Sequence, residues 1–212
     1  MTVRPKLTLQ PLTTADIPRA VEIERAAFGP GPLTKRFYPN GMNETSLANL
    51  KYRVSKALKD PTSNAHPWKV VRDDTGEMIA YAIWIKPLTK DEVEQMMEKA
   101  KVDDPNEPVD TAVNKEFKAA FMKEMFASHG RLMGDRMHWY LRLIATHPDH
   151  QGIGAGAVLI DWGLQKARED SMPAYLESSA AGYPVYIHKG FREIGKMTVD
   201  ESTSLPCLLW EP

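Results

Sequence analysis

A glycine-rich stretch follows the strongest strand pattern of the chain. It runs from His147 to Gly156 and places three glycines within five residues, between a predicted strand and a predicted helix. Glycine has no Cβ atom, so its backbone can approach a ligand closely and adopt unusual dihedral angles. The unpaired N–H groups of a first helical turn, together with the helix dipole, favour phosphate binding. The stretch predicts either a phosphate-binding loop or a tight turn whose glycines only allow close helix packing.

Two common nucleotide-binding patterns do not describe this stretch. The dinucleotide pattern G-x-G-x-x-G is absent, and the stretch lies late in the chain, whereas that pattern opens its domain. No Gly-Lys-Ser/Thr follows the glycines, so the P-loop pattern fails as well. A phosphate bound here would therefore belong to another kind of ligand.

The residues around the loop predict an α/β domain on a mixed sheet. Apolar runs and alternation predict strands, and apolar residues at helical spacing predict helices. The predicted strands are Leu7–Leu12, Trp68–Arg72, Met78–Ile85, Met137–Thr146, Ala174–Glu177, Phe191–Val199 and Leu205–Trp210. The predicted helices of the body are Ile17–Phe28, Glu44–Leu58, Ile153–Glu169 and Tyr183–Lys189, and Asp73–Gly76 is a predicted hairpin turn.

Residues 87–135 differ from the rest of the chain. They are rich in Lys, Glu and Met and predict a helical insertion, with helices over about 91–101 and 111–128. The apolar residues of the insertion either pack its helices onto the body or line a substrate pocket. These residues are Met96, Met97, Phe117, Phe121, Met122, Met125 and Phe126.

Length and composition limit the classes of protein to consider. The 212 residues fit a single domain over 1–212, and a net charge of −1 argues against nucleic-acid binding through bulk charge. No apolar run approaches the ~20 residues needed to span a membrane, and the first residues lack the apolar core of a secretory signal. The single cysteine, Cys207, excludes an internal disulfide and a cysteine zinc cluster, and we expect no metal. We expect a cytoplasmic protein, with the nucleus as the alternative, that is a monomer or a homodimer.

Two motifs resemble those of the GNAT superfamily of N-acetyltransferases. The run L-R-L-I-A-T-H-P-D-H-Q-G-I-G-A-G, Leu141 to Gly156, resembles the acetyl-CoA motif Q/R-x-x-G-x-G/A. The run Y-I-H-K-G-F, Tyr186 to Phe191, resembles the family's later Y-x-x-x-G-F element and lies at the family's spacing. The resemblance covers residues 5–85 loosely and 137–197 well, and the insertion resembles those of fungal members. It implies the GNAT fold, a mixed, mostly antiparallel twisted sheet of six to seven strands flanked by helices.

The resemblance also implies a site for acetyl-CoA as co-substrate. In the family a bulge splays the fourth strand from its neighbour, and the pantetheine lies in the gap. The backbone amide of Ile144 then polarises the acetyl carbonyl, Thr146 binds the pantetheine arm, and Ala145 lies between them. Ser179 stands near the position at which many relatives contact pantetheine through an asparagine. The loop residues whose amides hold the pyrophosphate are Gln151, Gly152, Ile153, Gly154, Ala155, Gly156 and Ala157.

Proton transfer is assigned by motif position and by residue chemistry. Tyr186 is the candidate general acid for the leaving thiolate, since a phenol with a pKa near 10 is protonated at neutral pH; the alternative is a core tyrosine. Some relatives have a glutamate base in the fourth strand, where this chain has Tyr140. His138 is the candidate base, with a structural histidine or deprotonation through water as alternatives. For Glu177, at the end of a predicted strand, we expect a solvated or salt-bridged carboxylate.

These observations predict an acetyl-CoA-dependent N-acetyltransferase that acts on the amine of a small molecule. The acceptor is expected between the loop Gly29–Met42 and the insertion, with Phe37, Tyr38 and Trp84 as acceptor-binding residues. One alternative is a non-catalytic module that binds acyl-CoA, and another is a protein N-acetyltransferase.

Overall fold

Seven strands form one sheet in this protein. The computed structural model describes residues 4–29, 31–100 and 104–212. The strands are β1 (Leu7–Pro11), β2 (Ala65–Arg72), β3 (Met78–Ile85), β4 (Trp139–Thr146), β5 (Ala174–Glu177), β6 (Arg192–Asp200) and β7 (Thr203–Trp210). They lie in the order β1-β2-β3-β4-β5-β7-β6, and only the β4–β5 pair is parallel. The predicted mixed, mostly antiparallel sheet is confirmed.

Helices cover both faces of the sheet. They are α1 (Ile17–Phe28), α2 (Pro32–Phe37), α3 (Glu44–Lys59), α4 (Lys90–Ala100), α5 (Lys115–Met133), α6 (Ala155–Glu169) and α7 (Tyr183–His188). Within the described ranges, none of them is both long enough and apolar enough to cross a membrane.

The apolar core divides into three clusters on the two faces. On one face, α6 and α7 pack against alternate residues of the central strands, with Leu159, Leu164 and Trp84 fully or almost fully buried. On the other face, α1 and α3 cover one cluster and α5 covers another. Tyr140 packs against both of these clusters, which places α1, α3 and α5 on the same side of the sheet. We refer to this side as the α5 face and to the opposite side as the α6 face.

Several element boundaries differ from the predictions. Strand β2 begins at Ala65 instead of Trp68, because Ala65 still pairs with Ile85 across the hairpin. The predicted loop Gly29–Met42 contains helix α2, which starts at Pro32, since proline is favoured at the first position of a helix. Helix α5 begins at Lys115 instead of residue 111, because the Asn114 side chain accepts a hydrogen bond from an amide of the first turn and caps the helix.

The second helix of the insertion is part of the body of the domain. Helix α5 packs on β6, and its residues Phe121, Met125 and Met133 contact the cluster beneath it. Phe117 is also buried, so it packs the insertion onto the body, whereas Met122 is among the exposed apolar residues. Lys101 and the side chains of Met96 and Met97, all assigned to the first insertion helix, lie outside the described residues.

Candidate active site

Strands β4 and β5 form a fork that opens one edge of β4. They pair at only two positions, Trp139 with Ala174 and Tyr140 with Tyr175. Beyond Tyr140, β4 has β3 as its only sheet neighbour in the described part of the chain. β5 instead stays paired with β7 as far as Glu177. The edge of β4 that faces the opening therefore carries backbone groups available to another extended chain.

The hydrogen-bond alternation of β4 decides which amides face this opening. The amide of His147 donates to the carbonyl of Ile79 at 2.9 Å, so these two residues form a hydrogen-bonded antiparallel pair. Such pairs alternate with pairs that are not bonded, and the β3–β4 register is regular from Thr146 back to Leu143. The amides of Ile144 and Thr146 consequently point away from β3, toward the opening.

Ala145 is a correction to the predicted site. By the same alternation its amide points to β3, and its side chain, only 3% exposed, packs in the cluster covered by α1 and α3. Its backbone and side chain are therefore both directed away from the opening of the fork. Ala145 holds Ile144 and Thr146 in register and offers no group to a ligand there.

A bulge lies in β4 at the mouth of the fork. The pairing with β3 shifts between Ile83, whose partner is Leu143, and Trp84, whose partner is Leu141. Arg142 is therefore the additional residue in β4. A bulge bends a strand and increases its local twist, which is consistent with the divergence of β4 from β5 just beyond this point. The bulge expected from the family resemblance is confirmed.

The glycine-rich loop continues directly from the free edge of β4. Gly152 and Gly154 have φ angles of 78° and 102°, which side chains rarely adopt, and a Cβ atom at either position would meet nothing within 4 Å. Helix α6 begins at Ala155, so the amides of its first turn, including those of Gly156 and Ala157, lack partners within the helix. Ile153 packs against the α6-face cluster and fixes the loop. The loop thus forms an open concave backbone surface with the polarity that binds anions.

Gln151 extends from this loop toward the strand. Its side-chain amide lies 3.5 Å from the carbonyl oxygen of Thr146, which is a long hydrogen bond. The side chain therefore links the loop to the end of β4.

Tyr186 lies on the α6 face, in the same cluster that Ile144 packs against. It is 6% exposed, and burial raises the pKa of its phenol, so the proton stays on the oxygen at neutral pH. The hydroxyl makes no hydrogen bond to any residue of the described ranges. Gly182 makes this position possible, because a Cβ atom there would lie 2.9 Å from the tyrosine ring. A protonated, unengaged phenol is what a proton donor requires.

Ser179 is exposed and occupied by the turn before α7. Its hydroxyl accepts a hydrogen bond from the amide of Gly182 at 3.2 Å. The hydroxyl proton is still available to a ligand, so its contact with pantetheine stays a prediction.

His138 is a second correction. Its Nδ1 lies 2.6 Å from the carbonyl oxygen of Arg136, and its Nε2 lies 2.8 Å from Nε2 of His129. Both ring nitrogens are therefore engaged, and burial lowers the pKa of the ring. His138 has no nitrogen free to take a proton from an amine.

Of the three predicted acceptor residues, Trp84 is misplaced. It is fully buried on the α6 face, where its indole N–H donates to the carbonyl of Leu159 at 3.1 Å. Phe37 packs edge-on against Phe117 and Phe121 of α5, with ring centroids about 5 Å apart, so it joins α2 to the insertion. Trp84 is a core residue, and the structure gives Phe37 a packing role.

Tyr38 lies at an open cleft between α1 and α2. Its hydroxyl donates to Asp110 at 2.9 Å, which ties the cleft to the insertion. The cleft has a volume of about 650 Å³ and also contains Arg25, Lys35 and His147, the residue that precedes the glycine-rich loop. Of the predicted acceptor residues, Tyr38 is the one that reaches an accessible cavity.

Sequence reasoning missed a buried polar cluster beneath α5. It contains His129, Tyr140, Tyr175 and Glu177, whose rings and carboxylate are in mutual contact. Glu177 was expected to be solvated or salt-bridged, yet its side chain is only 9% exposed. Alternation places Tyr175 and Glu177 on one face of β5, so the sequence carried a partial signal. Nothing in the sequence placed His129 above them.

Comparisons with known proteins agree with this geometry. The family description "Acetyltransferase (GNAT) domain" matches residues 85–205. A Stachybotrys chartarum protein called "Acetyltransferase" is 34% identical over 56 residues, which is 26% of this chain and about a quarter (24%) of that relative.

Two solved structures share the fold along nearly the whole chain. A Drosophila melanogaster polyamine N-acetyltransferase, described as forming N-acetylagmatine, has a TM-score of 0.66 at 13% identity and covers 98% of this chain and 100% of its own. A Corynebacterium glutamicum protein, described as "histone acetyltransferase HPA2 and related acetyltransferase", has a TM-score of 0.63 at 21% identity, with 97% and 96% covered. At these identities the likeness concerns the fold alone.

The family match includes the bulged strand, the glycine-rich loop and the tyrosine of α7, together with the insertion. Because this match extends over more than half of the chain, the protein belongs to the GNAT acetyltransferase family.

Proposed function

We propose that this protein is an acetyl-CoA-dependent N-acetyltransferase that transfers the acetyl group to the amine of a small molecule. The observation that carries the proposal is the continuity of the free β4 edge with the glycine-rich loop. An extended arm bound along Ile144 and Thr146 leads directly to the amides at the start of α6. Pantetheine followed by pyrophosphate has this succession of an extended chain and an anion.

The residues of this chain have separate tasks in such a reaction. The amides of Thr146 and the loop bind and orient the co-substrate. The amide of Ile144 donates to the acetyl carbonyl oxygen and stabilises the negative charge that develops there during attack. The acceptor nitrogen attacks the carbonyl carbon, the C–S bond breaks, and Tyr186 gives its proton to the departing sulfur.

The acceptor approaches from the α5 face in this proposal. Tyr186 and α6 occupy the opposite face, so the side of β4 beneath α5 is left for the amine. Phe37 of α2 packs on α5 there, and Tyr38, the residue after α2, donates to Asp110 of the insertion, so these contacts narrow the approach. A narrow approach favours a small acceptor over a peptide. The fold-related enzyme that forms N-acetylagmatine is consistent with this choice.

Release of free CoA thiol tests the proposal. The protein is incubated with acetyl-CoA and a panel of small amines, with lysine-containing peptides and N-terminal peptides as competing acceptors. We expect amine-dependent thiol release for at least one small amine, and formation of its acetamide by mass spectrometry. Release with peptides alone would replace the proposed acceptor by a protein. Tight acetyl-CoA binding without turnover of any acceptor would contradict transfer itself.

A further inference from the structure

The buried polar cluster beneath α5 lies at the root of the fork. Tyr140 and Tyr175 are the last pair before β4 and β5 diverge, and Glu177 follows two residues later on β5. Continuing the same register places Glu177 across the opening from Arg142, the bulge residue, about 7 Å beyond the last pair. The backbone of Glu177 thus borders the part of the opening where the bulge begins, and its carboxylate is buried beneath α5.

Glu177 is a buried carboxylate with one unused oxygen. Its Oε2 accepts a hydrogen bond from the hydroxyl of Tyr140 at 2.8 Å. Its Oε1 is buried without a hydrogen-bond partner, and no Lys or Arg of the described residues forms an ion pair with it. The hydroxyl of Tyr175 is also buried without a partner, and it acts on the Glu177 carboxyl by lowering its pKa. The closest cationic candidate is His129, whose Nδ1 is 3.9 Å from Oε1.

The hydrogen bonds of the two histidines fix their tautomers. Nδ1 of His138 faces the carbonyl oxygen of Arg136, which can only accept, so Nδ1 carries the proton. Neutral His138 then has a lone pair on Nε2, and His129 must donate its own Nε2 proton across the 2.8 Å contact. Neutral His129 is left with a lone pair on Nδ1, the nitrogen that faces Glu177.

The gap between His129 and Glu177 therefore lacks a proton. Two lone pairs face each other over 3.9 Å, and neither atom can donate to the other. One added proton would convert this opposition into a hydrogen bond or an ion pair. The direct contact of the two imidazoles leaves no room for a metal between them, and within the described residues no group of three His, Cys, Asp or Glu is placed to hold one.

We propose that Glu177 and His129 together form the proton acceptor for the substrate amine, with Tyr140 and His138 as positioning residues. This inference rests on the proposed function, since it concerns the same transfer reaction. It also assigns a task to the insertion, because α5 supplies His129 to the site.

The proton balance of the reaction is complete with this pair. An acceptor ammonium gives one proton to the gap between Glu177 and His129 and becomes a neutral amine. The amine forms the C–N bond, the C–S bond breaks, and the thiolate takes the proton of Tyr186. The nitrogen then loses its second proton to water, and the pair also returns its proton to water. The Tyr186 phenolate takes one proton back from water, so one proton is released per turnover.

Burial moves the pKa values of the two groups in opposite directions. Burial raises the pKa of the Glu177 carboxyl, and burial together with the neighbouring His138 lowers the pKa of His129 to about 4. The neutral histidine and the carboxylate can bind one shared proton between them, so they titrate as one unit. The ionisable groups facing the pair are Tyr140 and Tyr175 of the sheet, His138 before β4 and Cys207 of β7, with Arg142 acting on Tyr140.

Steady-state kinetics against pH test the proton acceptor. With an amine that the wild-type protein acetylates, kcat/KM is measured between about pH 5 and pH 10 for E177Q and H129Q. We expect both variants to lose about 100-fold or more and to lose the rise of kcat/KM with pH that the pair causes. Acetyl-CoA affinity, measured by calorimetry, should stay unchanged. E193Q is the matched control, because Glu193 is exposed on β6 and should behave as wild type.

Tyr140 offers a graded test of positioning. Its hydrogen bond to Glu177 lowers the pKa of that carboxyl against the effect of burial. Y140F should therefore move the rising limb of the pH profile to higher pH, while acetyl-CoA affinity is retained. A purely structural role would reduce the folded fraction without moving the limb.

NMR of the histidine rings tests the predicted tautomers of His129 and His138 independently of turnover. In the wild-type protein at neutral pH, nitrogen shifts should show His129 as the Nε2–H tautomer and His138 as the Nδ1–H tautomer. In H138F, His129 should occur as a mixture of its Nε2–H and Nδ1–H tautomers. An Nδ1–H tautomer of His129 in the wild-type protein would overturn the proposal.

The two proposals can fail separately. Wild-type turnover together with an unchanged pH profile in folded E177Q and H129Q would overturn the proton acceptor and leave the acetyltransferase proposal standing. Absence of turnover with every acceptor would overturn the proposed function. The ring tautomers alone would then show whether a proton is missing between His129 and Glu177.

Discussion

Two buried side chains on the two sides of the fork differ in whether they can give or take a proton. Tyr186, on the α6 face, is a buried phenol that keeps its proton and makes no hydrogen bond within the described residues. Glu177, on the α5 face, is a buried carboxylate whose Oε1 lacks a donor. A donor and an acceptor of protons thus flank the same strand opening, an arrangement that suits a reaction that protonates sulfur and deprotonates nitrogen.

Replacing the phenol of Tyr186 tests the proton donor. Y186F should lower kcat by about 10²-fold or more, because the thiolate would leave without a positioned acid, and should leave acetyl-CoA affinity nearly intact. Y183F is the control, because Tyr183 is half-buried at the start of the same helix and its hydroxyl donates to Glu193 instead of facing the fork. Turnover equal to wild type in Y186F would mean that water protonates the thiolate and that Tyr186 only packs the core.

Glu177 should also impose a cost on stability that depends on pH. Its folded pKa is raised above the ordinary 4.5, so the stability associated with it is complete below that value and is lost as pH rises through the folded pKa. E177Q removes this loss, because its amide can donate to Nδ1 of His129 while its oxygen still accepts from Tyr140. We expect the melting temperature of E177Q to exceed that of wild type at pH 8, by roughly 2–4 °C for each 1 kcal/mol, and the excess to vanish near pH 4. Equal melting temperatures at both pH values would show that the buried carboxylate carries no such cost.

At the scale of elements, the loop before α6 depends on backbone conformation. Gly154 has a φ of 102° and precedes the first residue of α6, so its conformation aims the amides of the first turn. A Cβ atom there would meet no neighbour, so a side chain would be opposed by backbone strain and by the approaching ligand. The motif therefore requires glycine at position 154 because of the backbone dihedral angle there and not because of a packing contact.

Gly154→Val should weaken acetyl-CoA binding at least tenfold, or about 1.4 kcal/mol. Isothermal calorimetry with the folded variant measures this directly. Gly76→Val is the matched control, since Gly76 also has a positive φ, 69°, and open space around it, but lies in the β2–β3 hairpin. Both variants should lose stability, and only Gly154→Val should lose affinity. Unchanged affinity in Gly154→Val would remove the basis of the assigned loop.

The insertion combines packing with a contribution to the site. α5 covers the cluster around Met197 and Leu209 and holds α2 through Phe117 and Phe121, so its removal would expose core. The same helix carries His129 above Glu177. The packing interpretation of the insertion thus holds for Phe117 and Phe121, and a substrate pocket lined by its Met and Phe residues stays a prediction. A role of the insertion as a lid over the acceptor stays a prediction.

At the scale of the whole molecule, one sheet carries cores on both faces, and α6 lies directly against β3 on one of them. Trp84 of β3 lies against Gly163 of α6 so closely that a Cβ atom there would be 2.1 Å from the indole ring. This contact fixes the distance between α6 and the sheet. Since α6 begins at the glycine-rich loop, the same contact also sets where the loop stands relative to β4.

Gly163→Ala should destabilise the protein by about 1–3 kcal/mol, because the indole or the helix must shift in a close-packed core. Thermal and urea unfolding measure the loss. Gly130→Ala is the control: Gly130 lies within α5 with nothing near its Cβ position, so alanine should raise stability by about 0.5–1 kcal/mol. Equal stability of Gly163→Ala and wild type would show that the core yields at this contact.

The sequence by itself determined the elements and located the glycine-rich loop and the later tyrosine motif. Alternation, apolar runs and helical spacing predicted every strand and most of the helices, because these patterns are local. β3, buried on both faces, was predicted from its continuous apolar run. The glycine-rich loop and Tyr186 were found in the same way, since a backbone cradle and a motif of fixed spacing lie within a few adjacent residues. Helix α2 was missed because its first residue, Pro32, ends a run of two Gly-Pro pairs, which is typical of a loop.

Tertiary structure decided which side chains do what. Trp84 became core because α6 approaches it from a distant part of the chain. His138 lost both free nitrogens to the Arg136 carbonyl and to the ring of His129, which the turn between α5 and β4 brings against it. The proton place between His129 and Glu177 exists only because the insertion folds back over the end of β5. Burial and the direction of a lone pair depend on neighbours in space, and a linear pattern does not contain them.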